Sequence, residues 1–361
     1  MSEAAKRYRI GIIGLGDMAN AHIQGLSREA NAVVAAICDV NPAALAEAGH
    51  RLGIPQERRY SDYRLLIQDE EVDAVISVTP NAVHASIMLA CLEAGKPFLS
   101  EKPFTMHAAD AELVKEAYEQ LSSPVPGMIG FSYRYTPAFR YARTLLQQEK
   151  IGKALSFSVQ YLQGWGSAVY EVPYVWRFDR ERTGTGTLGD LGSHMIDLAH
   201  YLIGPFEELS ARLETFVHER SDVRTGEPRK VEVDDYACFQ ARMASGAIGQ
   251  FQTSRNAVGS GNQLEISIYG EQGTLHASTL TPEQVVWIEK DAESGEIVEK
   301  KLTVPWPLRL GEWTDFVNML GGEAADGLPD LMAGYHNQLV LDAVIRSSEQ
   351  RRTVAVYEEQ A

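Results

Sequence analysis

A short apolar run, Ile10–Ile13, leads directly into Gly14-Leu15-Gly16-Asp17-Met18-Ala19 and then into a helical pattern. This strand–turn–helix order constrains the fold more than any other feature of the chain. Gly14 permits a tight turn, Gly16 lets the backbone approach a ligand closely, and the small Ala19 lets the helix lie against the strand. The helix start offers unpaired N–H groups and a positive dipole end, which suits a pyrophosphate. Asp39 lies 20 residues after Ala19, at the end of the apolar run Val33–Cys38. A carboxylate there bonds ribose hydroxyls and repels an additional phosphate. Val40, Asn41 and Pro42 follow it, not an arginine, so the motif reads as NAD-binding in preference to NADP. A tight β–α turn that binds nothing is the alternative.

Further short apolar runs, Ala74–Val78 and Phe98-Leu99, alternate with amphipathic stretches. Pro42–Leu52 has Asn41 as its expected N-cap and Pro42 at its first position; Asn81–Glu93 is apolar at helical spacing. Strands alternating with helices predict a parallel sheet. Past Pro124 and Pro126 the pattern changes to strands at Ala154–Leu162, Leu209–Val217, Tyr236–Met243, Ala247–Thr253, Leu264–Tyr269 and Val285–Glu289. The expected architecture is an α/β Rossmann domain over residues 1–125, followed by an α+β domain over 126–361 with a large, open, mostly antiparallel sheet. His218–Asp234 reads as a mobile charged loop.

Composition narrows the function. The 361 residues carry a formal charge of −16, with 49 acidic against 33 basic side chains, which disfavours nucleic acid and anionic membranes as partners. Three scattered cysteines, Cys38, Cys91 and Cys238, exclude a disulfide framework and fit reduced thiols in the cytoplasm. Neither a signal peptide nor a membrane-spanning run is evident. Serine-hydrolase elbows and P-loops are absent.

Three polar clusters carry possible chemistry. Thr79-Pro80-Asn81 and His84 follow a strand, at the edge where ligands bind in doubly wound sheets. Asn81 suits a cofactor contact or a helix cap; His84 suits a cofactor contact or local packing. Glu101-Lys102-Pro103 follows the next strand. Lys102 can hold a substrate oxygen and stabilise developing negative charge, or it is one half of an exposed Lys–Glu pair. Asp190 and His194 are four residues apart and share a helix face if the helix starts near Asp190. An aspartate beside a histidine suits proton removal from an alcohol during hydride transfer. Asp190 as a cap with His194 in the core, or Asp190, His194, Asp197 and His200 as metal ligands, are the competing readings; the spacing matches no zinc pattern, and no metal is expected.

Together these blocks resemble the glucose–fructose oxidoreductase, inositol dehydrogenase and rhizopine-catabolism (Gfo/Idh/MocA) family over nearly the whole chain. The resemblance rests on Gly14–Ala19 with His22, Thr79-Pro80-Asn81, Glu101-Lys102-Pro103, Tyr133-Arg134-Tyr135, Trp176-Arg177 and Gly189–His194. It implies that Lys102, Asp190 and His194 are catalytic: His194 takes the hydroxyl proton, Asp190 orients it, and Lys102 holds the reacting oxygen. It implies a cis bond before Pro103, and cofactor contacts from Asn81, Glu101, Trp176 and Arg177. It also implies a homodimer or homotetramer formed through the second sheet. Gly184-Thr185-Gly186 departs from the family's run of three glycines.

The expected cofactor contacts are therefore Gly14, Gly16, Asp17, Met18, Ala19, Asp39, Thr79, Pro80, Asn81, His84, Glu101, Lys102, Trp176 and Arg177. Substrate contacts are expected from Lys102, Tyr133, Arg134, Tyr161, Asp190 and His194, with Trp165, Tyr170, Tyr174 and Trp176 as further aromatic candidates. Aromatic faces suit the C–H faces of sugars and cyclitols. The leading expectation is NAD-dependent oxidation of a ring secondary alcohol on a cyclic polyol or monosaccharide, with an inositol-type substrate first. A glycoside-cleaving enzyme that retains NAD and a non-catalytic dinucleotide sensor are the alternatives.

Overall fold

The structure is a computed structural model and describes residues 6–357. The chain divides into two compact units. The first contains β1(Tyr8–Ile13), α1(Asp17–Leu26), β2(Ala32–Cys38), α2(Pro42–Leu52), β3(Arg59–Tyr60), α3(Tyr63–Gln68), β4(Ala74–Ser77), α4(His84–Glu93), β5(Phe98–Ser100), α5(Ala108–Glu119) and β6(Gly127–Ile129). Its six strands are all parallel in the order β3-β2-β1-β4-β5-β6. β1 and β4 bury nearly every side chain because helices cover both faces of such a sheet. The strand order reverses between β1 and β4, so their carboxyl ends flank the crevice where ligands of doubly wound sheets sit. Asn41 caps α2 as the sequence predicts, its side chain accepting the Ala43 N–H at 3.0 Å. The helix expected from Asn81 instead opens with a 3₁₀ turn, Asn81–Val83, and becomes α-helical at His84.

A single boundary at 125/126 does not describe the chain. Residues through Phe131 and the later segment Gly311–Tyr335 also belong to the first unit. β6 extends the parallel sheet, Asp330 bridges to Met128, and the helix Glu312–Leu320 lays Trp313 against Gly25 of α1. This return is set by packing between residues far apart in the chain, which local pattern does not encode.

The second unit holds α6(Pro137–Gln147), β7(Ala154–Leu162), α7(Arg180–Thr183), α8(Ser193–Ile203), β8(Phe206–Glu214), β9(Glu219–Ser221), β10(Pro228–Lys230), β11(Tyr236–Met243), β12(Ile248–Ser254), β13(Gln263–Gly270), β14(Gly273–Ser278), β15(Gln284–Lys290), β16(Ile297–Thr303) and β17(Val354–Ala355). Nine strands form one sheet in the order β16-β15-β14-β13-β7-β12-β11-β8-β17. Every neighbouring pair is antiparallel except β7 with β12. Period-two alternation sends Phe157, Val159, Phe239, Phe251 and Ile266 to one face, against Phe139 of α6 and Met195 of α8. Phe239 and Phe251 stack at 4.2 Å. The opposite face carries Ser158, Gln160, Cys238, Gln240, Gln250 and Gln252.

The segment expected to be a mobile loop, His218–Asp234, forms a hairpin of β9 and β10. Arg220 holds it in place, donating to the carbonyls of Val172, at 3.0 Å, and Gly166, while Val231 and Val233 bury against Phe178. The three cysteines are free thiols. Burial pushes Cys38 and Cys91 up to about 12, which leaves both as inert thiols. Among the described residues, no helix is long and apolar enough to cross a membrane.

Phe157 is 2% exposed and meets Phe251 edge-on at 5.6 Å. Phe157→Ala is expected to lower the unfolding free energy by about 3–5 kcal/mol. Urea denaturation checks this, and an unchanged midpoint would contradict the packing described.

Candidate active site

In the first unit, the β1–α1 turn is shaped for a phosphate-bearing ligand. Gly14 has a φ of 89°, and a methyl group there would overlap the Val78 carbonyl oxygen. Gly16, by contrast, has no atom within 4 Å of where a side chain would start. This open cradle lies at the start of α1, where Gly16, Asp17 and Met18 are exposed. Ala19 is 1% exposed, so its methyl group serves helix packing rather than ligand contact. Asp39 closes the turn from the side: its carboxylate accepts the Leu15 and Asn41 N–H groups, each at 2.8 Å. The cradle, the helix start and the carboxylate fit a dinucleotide.

Thr79, Pro80 and Asn81 follow β4 and are at least partly exposed. Of its two readings, cofactor contact and local packing, His84 takes the second. It is fully buried, with Nδ1 2.8 Å from the Pro103 carbonyl and Nε2 2.9 Å from the Thr79 carbonyl. Burial holds its pKa below the ordinary histidine value, against the pull of those two carbonyls. His84 thus ties the β4 and β5 loops together and presents no atom to a ligand.

Glu101 and Lys102 follow β5, and the Lys102–Pro103 bond is cis. Glu101 Oε2 accepts the Lys102 N–H at 3.1 Å, and Oε1 lies 2.9 Å from His22 Nε2. The Trp313 indole N–H donates to His22 Nδ1 at 3.2 Å, so a neutral His22 carries its proton on Nε2 and donates to Glu101. Burial lowers the His22 pKa, but the Glu101 hydrogen bond and charge more than offset it. Glu312 is buried beside this pair. Burial pushes its carboxyl up to about 7, against His22 and with the help of Glu101.

In the second unit, Asp190 lies in a π-turn, Leu188–Gly192, that runs straight into α8. Such turns are a frequent feature of functional sites. Asp234 clamps the turn from β11's leading edge, its two oxygens accepting the Gly186 and Leu188 N–H groups at 2.7 Å each. A side chain on Gly186 would overlap the Asp234 carbonyl, whereas Thr185 places its hydroxyl over Gly189. Thr185 is thus accommodated between the two glycines of the turn. Asp190 Oδ2 accepts a hydrogen bond from Arg255 Nη2 at 2.8 Å. His194 is 6% exposed and packs edge-on against Tyr133 at 4.7 Å, with Tyr161 at 6.1 Å.

The Tyr133 and Tyr161 hydroxyls are 2.6 Å apart in a directed hydrogen-bond ring. The Trp165 indole donates to Gln163 Oε1 at 2.6 Å, and Gln163 Nε2 donates to Asn262 Oδ1 at 2.8 Å. Asn262 Nδ2 donates to Tyr133, at 2.6 Å, and Tyr161 donates to Asn262 Oδ1 at 2.5 Å. Since an indole can only donate, it sets the direction of the ring: Tyr133 donates to Tyr161. Burial raises the Tyr161 pKa, with Tyr133 and Asp190 adding, so it stays a neutral phenol.

Arg134, expected as a substrate contact, is engaged in a buried ion pair. It is 6% exposed and grips Asp197, with Nη2 2.6 Å from Oδ1 and Nε 2.9 Å from Oδ2. Asp197 is therefore committed to an ion pair, and among the described residues no group of three or more His, Cys, Asp or Glu is placed to hold a metal ion. Trp176 is 41% exposed with Arg177 over its ring at 4.6 Å. Tyr170 is exposed, and Tyr174 donates to the Phe178 carbonyl at 3.0 Å beneath Arg229. Sequence reasoning missed Gln163, Asp234, Arg255 and Asn262. Each lies at a strand end or in a loop with no periodic signal.

Residues 8–125 match a family model described as an oxidoreductase family with an NAD-binding Rossmann fold, and residues 139–276 match the GFO/IDH/MocA C-terminal domain. Levoglucosan dehydrogenase of Pseudarthrobacter phenanthrenivorans is 31% identical over 97% of this chain and 98% of its own. Myo-inositol 2-dehydrogenase of Thermotoga maritima is 30% identical over 80% of each chain. The solved structure of levoglucosan dehydrogenase with NADH and L-sorbose has a TM-score of 0.89 at 29% identity, covering 98% of this chain and 100% of that one.

Between pH 4.5 and about 7, the unfolded chain is ionised at Glu312 while the folded chain keeps the proton. That group's contribution to stability is fully present below this window and is lost as pH rises through it. Glu312→Gln is expected to gain roughly 2–3 kcal/mol relative to wild type between pH 5 and pH 8. Parallel pH profiles in urea denaturation would contradict this.

Proposed function

The chain belongs to the Gfo/Idh/MocA family of NAD-binding oxidoreductases, and from that premise we propose that it oxidises a ring secondary alcohol of a cyclic polyol or monosaccharide to the ketone, or runs the reverse reduction. Levoglucosan and myo-inositol, named in its relatives, are both rings bearing secondary alcohols. The observation that carries the reading is His194, four residues beyond Asp190 where the π-turn enters α8, packed edge-on against Tyr133 in a ring of hydroxyl and amide groups suited to a polyhydroxylated substrate.

NAD, when bound, accepts the hydride. Gly14, Gly16, Asp17 and Met18 form the cradle for its pyrophosphate, Asp39 meets the adenosine ribose, and Thr79, Pro80, Asn81, Glu101, Trp176 and Arg177 supply further contacts. His194 takes the proton from the reacting hydroxyl, Asp190 fixes the imidazole and stabilises its charge, and Lys102 holds the oxygen as negative charge develops. The Glu101–His22–Trp313 chain holds the Lys102 backbone. The polar face of the nine-stranded sheet is where a second copy of the chain would pack, giving a homodimer or homotetramer; light scattering of a monomer would sink that assignment. A cytoplasmic location suits the reduced thiols and the soluble substrate.

Three variants test the roles. Asp39→Ala should weaken NAD binding about 10-fold or more and narrow the preference over NADP; an unchanged preference refutes the ribose assignment. His194→Ala should lower kcat by roughly 10²–10⁴-fold with cofactor still bound, and near-normal turnover removes it as the base. The primary experiment follows nicotinamide absorbance with NAD and NADP across inositol isomers, levoglucosan, free aldoses and simple glycosides, using wild type and Lys102→Ala. NADH formed on one compound and lost in the variant supports the reading. Silence across the panel with NAD retained would instead favour the glycoside-cleaving or sensor alternatives.

A further inference from the structure

We propose that Arg255 is a positioning residue for the reaction, holding the Asp190 carboxylate as a fixed anion beside His194. The inference rests on the roles given above to Asp190 and His194.

Arg255 follows β12 and is 2% exposed, whereas the Asp190 side chain is 29% exposed. The cation therefore lies inside the protein and the carboxylate lies nearer its surface. Nη2 donates to Asp190 Oδ2 at 2.8 Å and to the Gly186 carbonyl at 3.2 Å. Nε and Nη1 are buried with no hydrogen-bond partner among the described residues. Taking a guanidinium out of water costs several kcal/mol, and contacts made through one nitrogen, with two donor atoms idle, recover that poorly. An apolar side chain of similar volume would serve packing as well or better. Stability alone therefore does not account for an arginine at this position.

Its charge reaches both Asp190 and Asp234, but its side-chain hydrogen bond goes to Asp190. Asp234, the other acid close by, already has both oxygens on backbone N–H groups of the π-turn. The Arg255 backbone is held on both sides: its N–H donates to the Asp235 carbonyl at 3.1 Å, and its carbonyl accepts the Gly166 N–H at 2.9 Å. Its guanidinium lies 5.3 Å from the Trp165 ring centroid, the same indole that directs the hydroxyl ring beside His194. Arg255 is thus a rigid cation reaching the turn from the sheet. It keeps Asp190 from swinging away and sets a fixed positive charge against its carboxylate. During turnover the hydroxyl proton moves to His194 and the hydride to the nicotinamide; Asp190 and Arg255 exchange no proton.

The test is a double-mutant cycle with kcat, KM and NAD affinity measured on the substrate found above. Arg255→Met should lower kcat about 10–100-fold with NAD affinity within about twofold of wild type, and Arg255→Lys should restore a substantial part of the loss. In an Asp190→Asn background, Arg255→Met should cost less than about threefold, because the group it acts through has lost its charge. Should Arg255→Met fail to fold, Arg255→Gln and Arg255→Lys carry the same cycle. A kcat within twofold of wild type, or an equal loss in both backgrounds, overturns the proposal. An Asp190→Asn enzyme as fast as wild type, or a wild type that oxidises no polyol or sugar, overturns the underlying reading and this inference with it. An Asp190-sensitive enzyme indifferent to Arg255 overturns this inference alone.

Discussion

At Gly14 the backbone turns through a positive φ and passes so close to the Val78 carbonyl that no side chain fits. Much of the first unit's chemistry depends on that closeness. It brings the ends of β1 and β4 side by side at the point where the strand order reverses. It lets α1 begin at once, with Gly16 over open space. Asp39 fastens the same turn from β2 through the Leu15 N–H. The result is a pre-formed row of donors at the edge of a rigid parallel sheet, the arrangement an anionic dinucleotide needs.

The second unit solves a different problem, holding Asp190 and His194 steady on the buried face of a large sheet. Its main device is the π-turn before α8, which is anchored by Asp234 and carries Asp190. Polar groups are grouped so that each is answered locally: Arg134 by Asp197, Asp234 by two backbone N–H groups, and Tyr133 and Tyr161 by Asn262. Buried polar groups satisfied in this way are rigid, and rigidity is what the proposed proton transfer to His194 requires.

The strands β1, β2, β4 and β7 and the helix α2 were legible because their signals are local: apolar runs, alternation and an Asn–Pro cap. β3 and β6 were not, since two- and three-residue strands carry too little pattern. The return of Gly311–Tyr335 to the first unit was hidden because it depends on Trp313 meeting Gly25 across the chain. The site shows the same split. Glycine turns and the Asp190/His194 spacing announce themselves in sequence. Whether a polar residue faces a ligand or a buried partner does not: His84, open between a cofactor contact and local packing, joins two loops, and Arg134, read as a substrate contact, serves an internal ion pair. Arg255 and Asn262 gave no signal because their importance comes only from which side chains the sheet brings beside them.

The central claim is that this chain moves a hydride between a ring carbon and NAD with net formation of NADH. The most direct measurement uses a polyol or sugar substrate deuterated at the reacting carbon, with the released cofactor examined by mass spectrometry. The account predicts one deuterium on the nicotinamide ring of free, newly reduced cofactor, and a ketone as product. Deuterium absent from the free cofactor, together with a cleaved glycoside and no net NADH, would contradict it.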